Sequence, residues 1–193
     1  MQYAKANIPT SYGEFNCIVF RDSSYMEHVA LVKGTICKKE HVLCRIHSEC
    51  LTGEVFGSLK CDCKQQLDLA LKTISEVGCG VLLYLRQEGR GIGLGNKIKA
   101  YALQEGGADT VDANLMLGLP NDTREYGPAA KMLKMLEVSS IVLMTNNPDK
   151  VNAMKKANVK VSQRKPHEAN VHKEALAYLK IKKEKMGHLL SIK

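Results

Sequence analysis

Tryptophan is absent, phenylalanine occurs three times and proline five times in 193 residues. No run of apolar residues approaches the 18 or so that a membrane-spanning helix needs. Aromatic residues make up only 5% of the chain. That speaks against a binder of single-stranded nucleic acid, which stacks bases on aromatic rings. The opening MQYAKANIPTSYGEF has no apolar core of signal-peptide type. CxxC pairs are missing too, although there are seven cysteines, at 17, 37, 44, 50, 61, 63 and 79. An odd count without a signal peptide does not suit a disulfide framework. The expectation is a protein of a reducing, cytoplasmic compartment with no membrane span.

What is present is an ordinary globular composition, 45% hydrophobic and 25% charged. The length suits one domain over residues 1–193. The formal net charge is +8, and it is uneven: residues 1–150 are balanced, whereas 151–193 carry eleven Lys and Arg against three Asp and Glu. This basic C-terminal segment suits a polyanion partner, whether nucleic acid, an anionic membrane or a phosphorylated small molecule, or else a solvated helix face that serves solubility.

Strand patterns occur at Glu14–Phe20, His28–Lys33, Val42–His47, Val81–Leu85 and Ile141–Thr145. Helical periodicity is clear over Cys63–Val77, with Leu67, Leu71, Ile74 and Val77 on one face. Further helices are expected at Asn96–Gln104, stopped by Gly106-Gly107, and at Pro128–Leu136, Pro148–Ala157 and His172–Lys185. A strand-rich N-terminal part followed by alternating strands and helices predicts one mixed α/β or α+β domain. Cys17 and Cys79 lie in strand-like surroundings and are expected in the core.

Four segments carry chemistry. Cys50, Cys61 and Cys63 are spaced C-x10-C-x-C. Three thiolates with a fourth position left open are the pattern of a catalytic zinc site, where the metal lowers the pKa of its water to about 7. The turn Thr52-Gly53 and the loop Gly57-Ser58 could bring the ligands together; a buried cysteine pair with one spare, or a structural site completed by Cys44 or His47, is the alternative. Next, Glu88-Gly-Arg90-Gly-Ile-Gly93-Leu-Gly95 lies between a strand and a helix. Such a turn offers backbone N–H groups to an anion, and Arg90 can fork onto a phosphate. It fits neither the P-loop nor GxGxxG, and an ordinary flexible loop competes. Third, Asp122 and Arg124 form either a working pair or a surface ion pair of little value. Fourth, Thr145-Asn-Asn-Pro-Asp-Lys150 ends a strand, where open α/β sheets bind ligands. A simple N-cap by Asn147 would explain it equally.

In order along the chain, RIHSECLTGEVFGSLKCDC, YLRQEGRGIGLGNKIKAYALQ, DTVDAN, LGLPNDTREY, LMTNNPDK and KMGHLL resemble the GTP cyclohydrolase II family. They cover most of Arg45–Lys150 and part of the tail. The resemblance implies zinc on Cys50, Cys61 and Cys63. It implies GTP binding by Arg45, Ile46, His47, Ser48, Glu49, Gln66, Glu88, Gly89, Arg90, Thr110, Thr145 and Lys150. Asp122 matches a proton acceptor, Arg124 a nucleophile, and Tyr101 a tyrosine needed to complete ring opening. Arg124 also suits an electrostatic clamp, because guanidinium holds its proton to a pKa above about 12. Glu88 or Gln66 is the expected reader of the guanine edge. The implied reaction converts GTP and water, with Mg²⁺ on the triphosphate, to formate, pyrophosphate and 2,5-diamino-6-(5-phosphoribosylamino)pyrimidin-4(3H)-one, the first step of riboflavin biosynthesis, usually in a homodimer. Asp149 departs from the lysine common at its position. The chain has no room for the synthase domain often fused to this family, so only the cyclohydrolase step is expected. The alternatives are a paralogue that stops at the formamidopyrimidine intermediate and a non-enzymatic zinc-stabilised binder of nucleotide or nucleic acid.

Overall fold

The computed structural model describes residues 2–107, 109–169, 172, 175–184 and 187–191. Seven strands join one sheet: β1 (Gln2–Thr10), β2 (Gly13–Arg21), β3 (Glu27–Lys33), β4 (Val42–Ser48), β5 (Gly80–Leu85), β6 (Ile141–Met144) and β7 (Val161–Lys165). Their spatial order is β1-β2-β3-β5-β4-β6-β7. β1, β2, β3 and β5 pair antiparallel in sequence across the sheet. β5, β4, β6 and β7 run parallel. The mixed α/β class expected from the sequence is therefore present.

The helices among the described residues are α1 (Leu51–Glu54), α2 (Cys63–Val77), α3 (Leu94–Glu105), α4 (Thr110–Met116), α5 (Gly127–Met135), α6 (Pro148–Lys156) and α7 (Leu176–Glu184). A single 3₁₀ turn covers Glu88–Gly91. β4 is buried on both faces, as expected for a central parallel strand. Its even-numbered side chains Val42, Cys44 and Ile46 pack with Leu83, Ala129, Leu133 and Met154, beneath α5 and α6. On the other face Leu43 and Leu82 meet Ala70, Leu71 and Ile74 of α2. α2 ends at Gly78, whose left-handed φ of 72° lets its N–H close onto the Ile74 and Ser75 carbonyls.

Several expectations change. Val77 is exposed and Ala70 takes the buried place on α2. Cys44 is fully buried in the main core, Cys79 packs against that core half-buried, and Cys17 is half-buried on β2. Thr52-Gly53 is helical rather than a turn. β1 and β7 were not expected, and both are sheet edges: β1 is exposed along most of its length, and β7 reads VSQRK. The last expected helix begins at Leu176, and its expected end, Lys185, lies outside the described residues.

A candidate active site at the carboxyl ends of the parallel strands

From β4 the chain crosses to β5 on one side; from β6 it goes to β7 on the other. The carboxyl ends of β4 and β6 thus flank a topological switch point, where α/β sheets leave a crevice. A pocket opens there, lined by residues at and after the carboxyl ends of β4, β5 and β6 and by α3.

Alternation on β4 sorts its residues. Arg45 and His47 face the pocket side, whereas the Ile46 side chain is fully buried in the apolar core. Ile46 reaches the site only through its carbonyl, which accepts from Lys150 Nζ at 2.8 Å. Arg45 donates to the Met144 carbonyl at 2.9 Å and to Gln66 Oε1 at 2.5 Å, and Gln66 in turn donates to Asp62. Burial pushes the Arg45 guanidinium down to about 10. Arg45 and Lys150 therefore tie β4 to β6 and α6 while lining the pocket.

The three cysteines come together. All three Sγ atoms lie within 4.8 Å of one another, with Cys50 and Cys61 at 3.6 Å. Cys50 precedes α1, and Cys61 and Cys63 straddle the start of α2. The neighbouring sulfurs pull the Cys50 thiol far down and push Cys63 well up. Gly53, expected in a turn, lies in α1 with the sulfurs against it. A Cβ there would stand 2.8 Å from Cys61 Sγ and 3.3 Å from Cys50 Sγ. Three converging soft donors around a space that a methyl group would fill suit a thiolate-bound zinc. Cys44 lies in the core and takes no part in the cluster.

His47 is held by residues the sequence did not single out. Its Nε2 lies 2.7 Å from Glu54 Oε1, and the Tyr84 hydroxyl donates to Glu54 Oε2 at 2.5 Å. Burial lowers the His47 pKa well below its usual value and raises that of Glu54 to about 7.

The glycine-rich turn is tightly built. Glu88 Oε2 accepts from the Leu51 N–H at 2.6 Å, and Oε1 accepts from Gly89 N–H and Lys97 Nζ, each at 2.8 Å. Both carboxylate oxygens of Glu88 and both amide groups of Gln66 thus already have protein partners. Gly89 and Arg90 are left-handed, with φ of 63° and 59°. For Arg90 that is an uncommon backbone state held from outside: its carbonyl accepts from both the N–H and the hydroxyl of Thr123. The turn is thereby pinned to the loop bearing Asp122 and Arg124. There Arg124 forks onto the Asp122 carboxylate, at 2.9 Å and 2.5 Å. Arg124 holds that carboxyl below its usual range although burial acts the other way.

Ser48, Glu49, Gly89, Arg90, Tyr101, Arg124, Thr145 and Lys150 all line the pocket. Asp122 reaches it through Arg124. Asn147 does cap α6, its side chain accepting from the Asp149 N–H at 2.8 Å. Thr110 opens α4, but its side chain lies outside the described residues. Two pocket residues, His167 and His188, come from the basic segment. His167 Nε2 lies 2.8 Å from the Gln66 carbonyl, and burial lowers its pKa to about 3. The backbone around both is gathered by Asn146, whose carbonyl accepts from Leu189 N–H and whose side chain bonds His167 in both directions.

Fold and site together define a class: an α/β protein with a cation-lined pocket and a three-cysteine cluster at the carboxyl ends of its parallel strands. The model of the family described as GTP cyclohydrolase II matches residues 1–166. This chain belongs to that family. It is 53% identical over 188 residues to the GTP cyclohydrolase-2 of Acinetobacter baylyi, covering 96% of this chain and 94% of that protein. It is 50% identical over 190 residues to the riboflavin biosynthesis protein RibBA of Endomicrobium trichonymphae, covering 98% of this chain and 47% of the relative. The chain thus spans about half the length of its RibBA relatives. A solved structure of RibBX, a two-domain 3,4-dihydroxy-2-butanone 4-phosphate synthase from A. baumannii, is similar over 88% of this chain and 40% of that one, with a TM-score of 0.50 and 20% identity. That likeness concerns the fold alone.

Proposed function

We propose that this chain hydrolyses GTP to formate, pyrophosphate and 2,5-diamino-6-(5-phosphoribosylamino)pyrimidin-4(3H)-one, the opening step of riboflavin biosynthesis. The observation that carries the reading is the meeting of Cys50, Cys61 and Cys63 in a pocket that also holds Arg90, Arg124 and Lys150. The cysteines would hold zinc, which supplies an activated water at neutral pH. The rest is work for the protein's own groups. Arg90 and Arg124 meet the triphosphate, which carries Mg²⁺ with it. Arg124 acts as a clamp on charge developing at the α-phosphate: its fork on Asp122 favours the protonated guanidinium and opposes a nucleophilic one. Tyr101, across from the cysteines on α3, attends the ring-opening half of the reaction. Thr145 and the Ser48–Glu49 backbone contact the nucleotide. The reading includes one domain over residues 1–193, a homodimer and a cytoplasmic setting. Among the described residues no helix is long and apolar enough to cross a membrane.

The test is incubation of zinc-loaded protein with GTP and Mg²⁺, measuring formate, pyrophosphate and product mass. Formate and a product lacking the C8 carbon are expected. A product that keeps C8 would mean the reaction stops at the formamidopyrimidine. Folded, zinc-loaded protein that releases no formate would overturn the proposal. The Cys61→Ser variant should lose zinc and ring opening together, while pyrophosphate release falls less.

A further inference from the structure

Lys97 has no place in the reading above, yet it lies at the centre of the site. It sits in the first turn of α3 and its side chain is only 11% exposed. Its Nζ donates to Cys50 Sγ at 3.2 Å and to Glu88 Oε1 at 2.8 Å. The other oxygen of Glu88 accepts from the N–H of Leu51, the residue after Cys50. Cys50 is therefore gripped twice, through its sulfur by Lys97 and through the adjoining backbone by Glu88. Gly89 leaves room for this: a Cβ there would stand 3.2 Å from Lys97 Cβ. One turn further along α3, the Tyr101 ring lies 5.8 Å from the same ammonium.

Three thiolates around a divalent ion leave an excess negative charge, which weakens the ion's pull on a bound ligand. A cationic N–H donor to one sulfur withdraws part of that charge. We infer that Lys97 is a positioning residue of the metal site, which donates to the Cys50 sulfur and, through Glu88, fixes the glycine-rich turn to the three cysteines. The inference rests on the cluster being the zinc site proposed above.

Its test replaces zinc by Co²⁺ in the full chain and compares wild type with Lys97→Met and Lys97→Arg. The sulfur-to-cobalt charge-transfer band reports electron density on the thiolates, which a purely structural lysine would not alter. In Lys97→Met the band should move to longer wavelength, and Lys97→Arg should return it part of the way. Zinc affinity, read by competition with a chromogenic chelator, should fall by about tenfold in Lys97→Met, the lower end for removal of a supporting partner. Formate release should fall more steeply than pyrophosphate release. A band and a zinc affinity unchanged in Lys97→Met would overturn the inference, whatever happens to activity. Should Lys97→Met fail to fold by circular dichroism, Lys97→Gln and Lys97→Arg decide on the same band. If wild type makes no formate, the proposed function falls while the band comparison still judges Lys97.

Discussion

The two halves of the sheet do different jobs. The antiparallel half, β1 to β3, contributes no side chain to the pocket wall; the parallel half supplies the ends of β4, β5 and β6 and the loops that follow them. The outermost antiparallel strand is exposed along most of its length, while β4 is buried on both faces. Direction explains the difference. Parallel neighbours present their carboxyl ends on one side, so the loops after them converge, whereas antiparallel neighbours send theirs to opposite sides. The antiparallel half widens the sheet and covers one flank of its core; the parallel half concentrates chemistry.

Substitutions should separate these halves by size of effect. Gly53→Ala, which puts a methyl group against two cysteine sulfurs, should lower zinc affinity and formate release by at least about tenfold, with folding retained by circular dichroism. Leu83→Ala, in fully buried β5, should cost about 2–5 kcal/mol in urea unfolding. His167 comes next. Its folded pKa of about 3 lies below the ordinary value of 6.5, so the unfolded chain binds the proton first as pH falls. The stability that its neutral ring provides is complete above about pH 6.5 and is lost on acidification, by at most about 1.4 kcal/mol per pH unit. His167→Gln should flatten the acid limb of a stability profile between about pH 6 and pH 4. Asn147→Ala, removing the α6 cap, should cost about 1 kcal/mol. Asn7→Ala on β1, whose side chain bonds only Asn16 at the surface, should stay within about 0.5 kcal/mol. An Asn7 effect as large as that of Leu83 would break the division of labour.

The same division governs what could be read from the sequence. β2 to β6 are legible because burial demands Val, Ile, Leu and Phe at strand spacing. β1 and β7 are silent because an edge strand facing solvent makes no such demand, and QYAKANIPT carries a proline as well. α1 hides because four residues have no periodicity and one of them is Gly53. At the site, the cysteines announce themselves by spacing, and Arg90, Arg124, Thr145 and Lys150 by motif. Gly53, Glu54, Tyr84 and Lys97 lie inside the same motifs, but their roles do not show there: each acts through a contact that only the fold makes. Ile46 shows the reverse failure. It sits within a functional run, but strand alternation turns its side chain away from the pocket.

Asn146 has a consequence for how the protein is made. Its partners are His167 and Leu189, so one wall of the pocket is tied to a residue 43 positions downstream of it. During synthesis, which runs from the N-terminal side, all seven strands have been made before Leu189 is added. A released chain ending just short of that residue would hold its sheet, its cysteines and its glycine-rich turn, yet keep an unfinished wall. Translation completes the scaffold first and the binding site last.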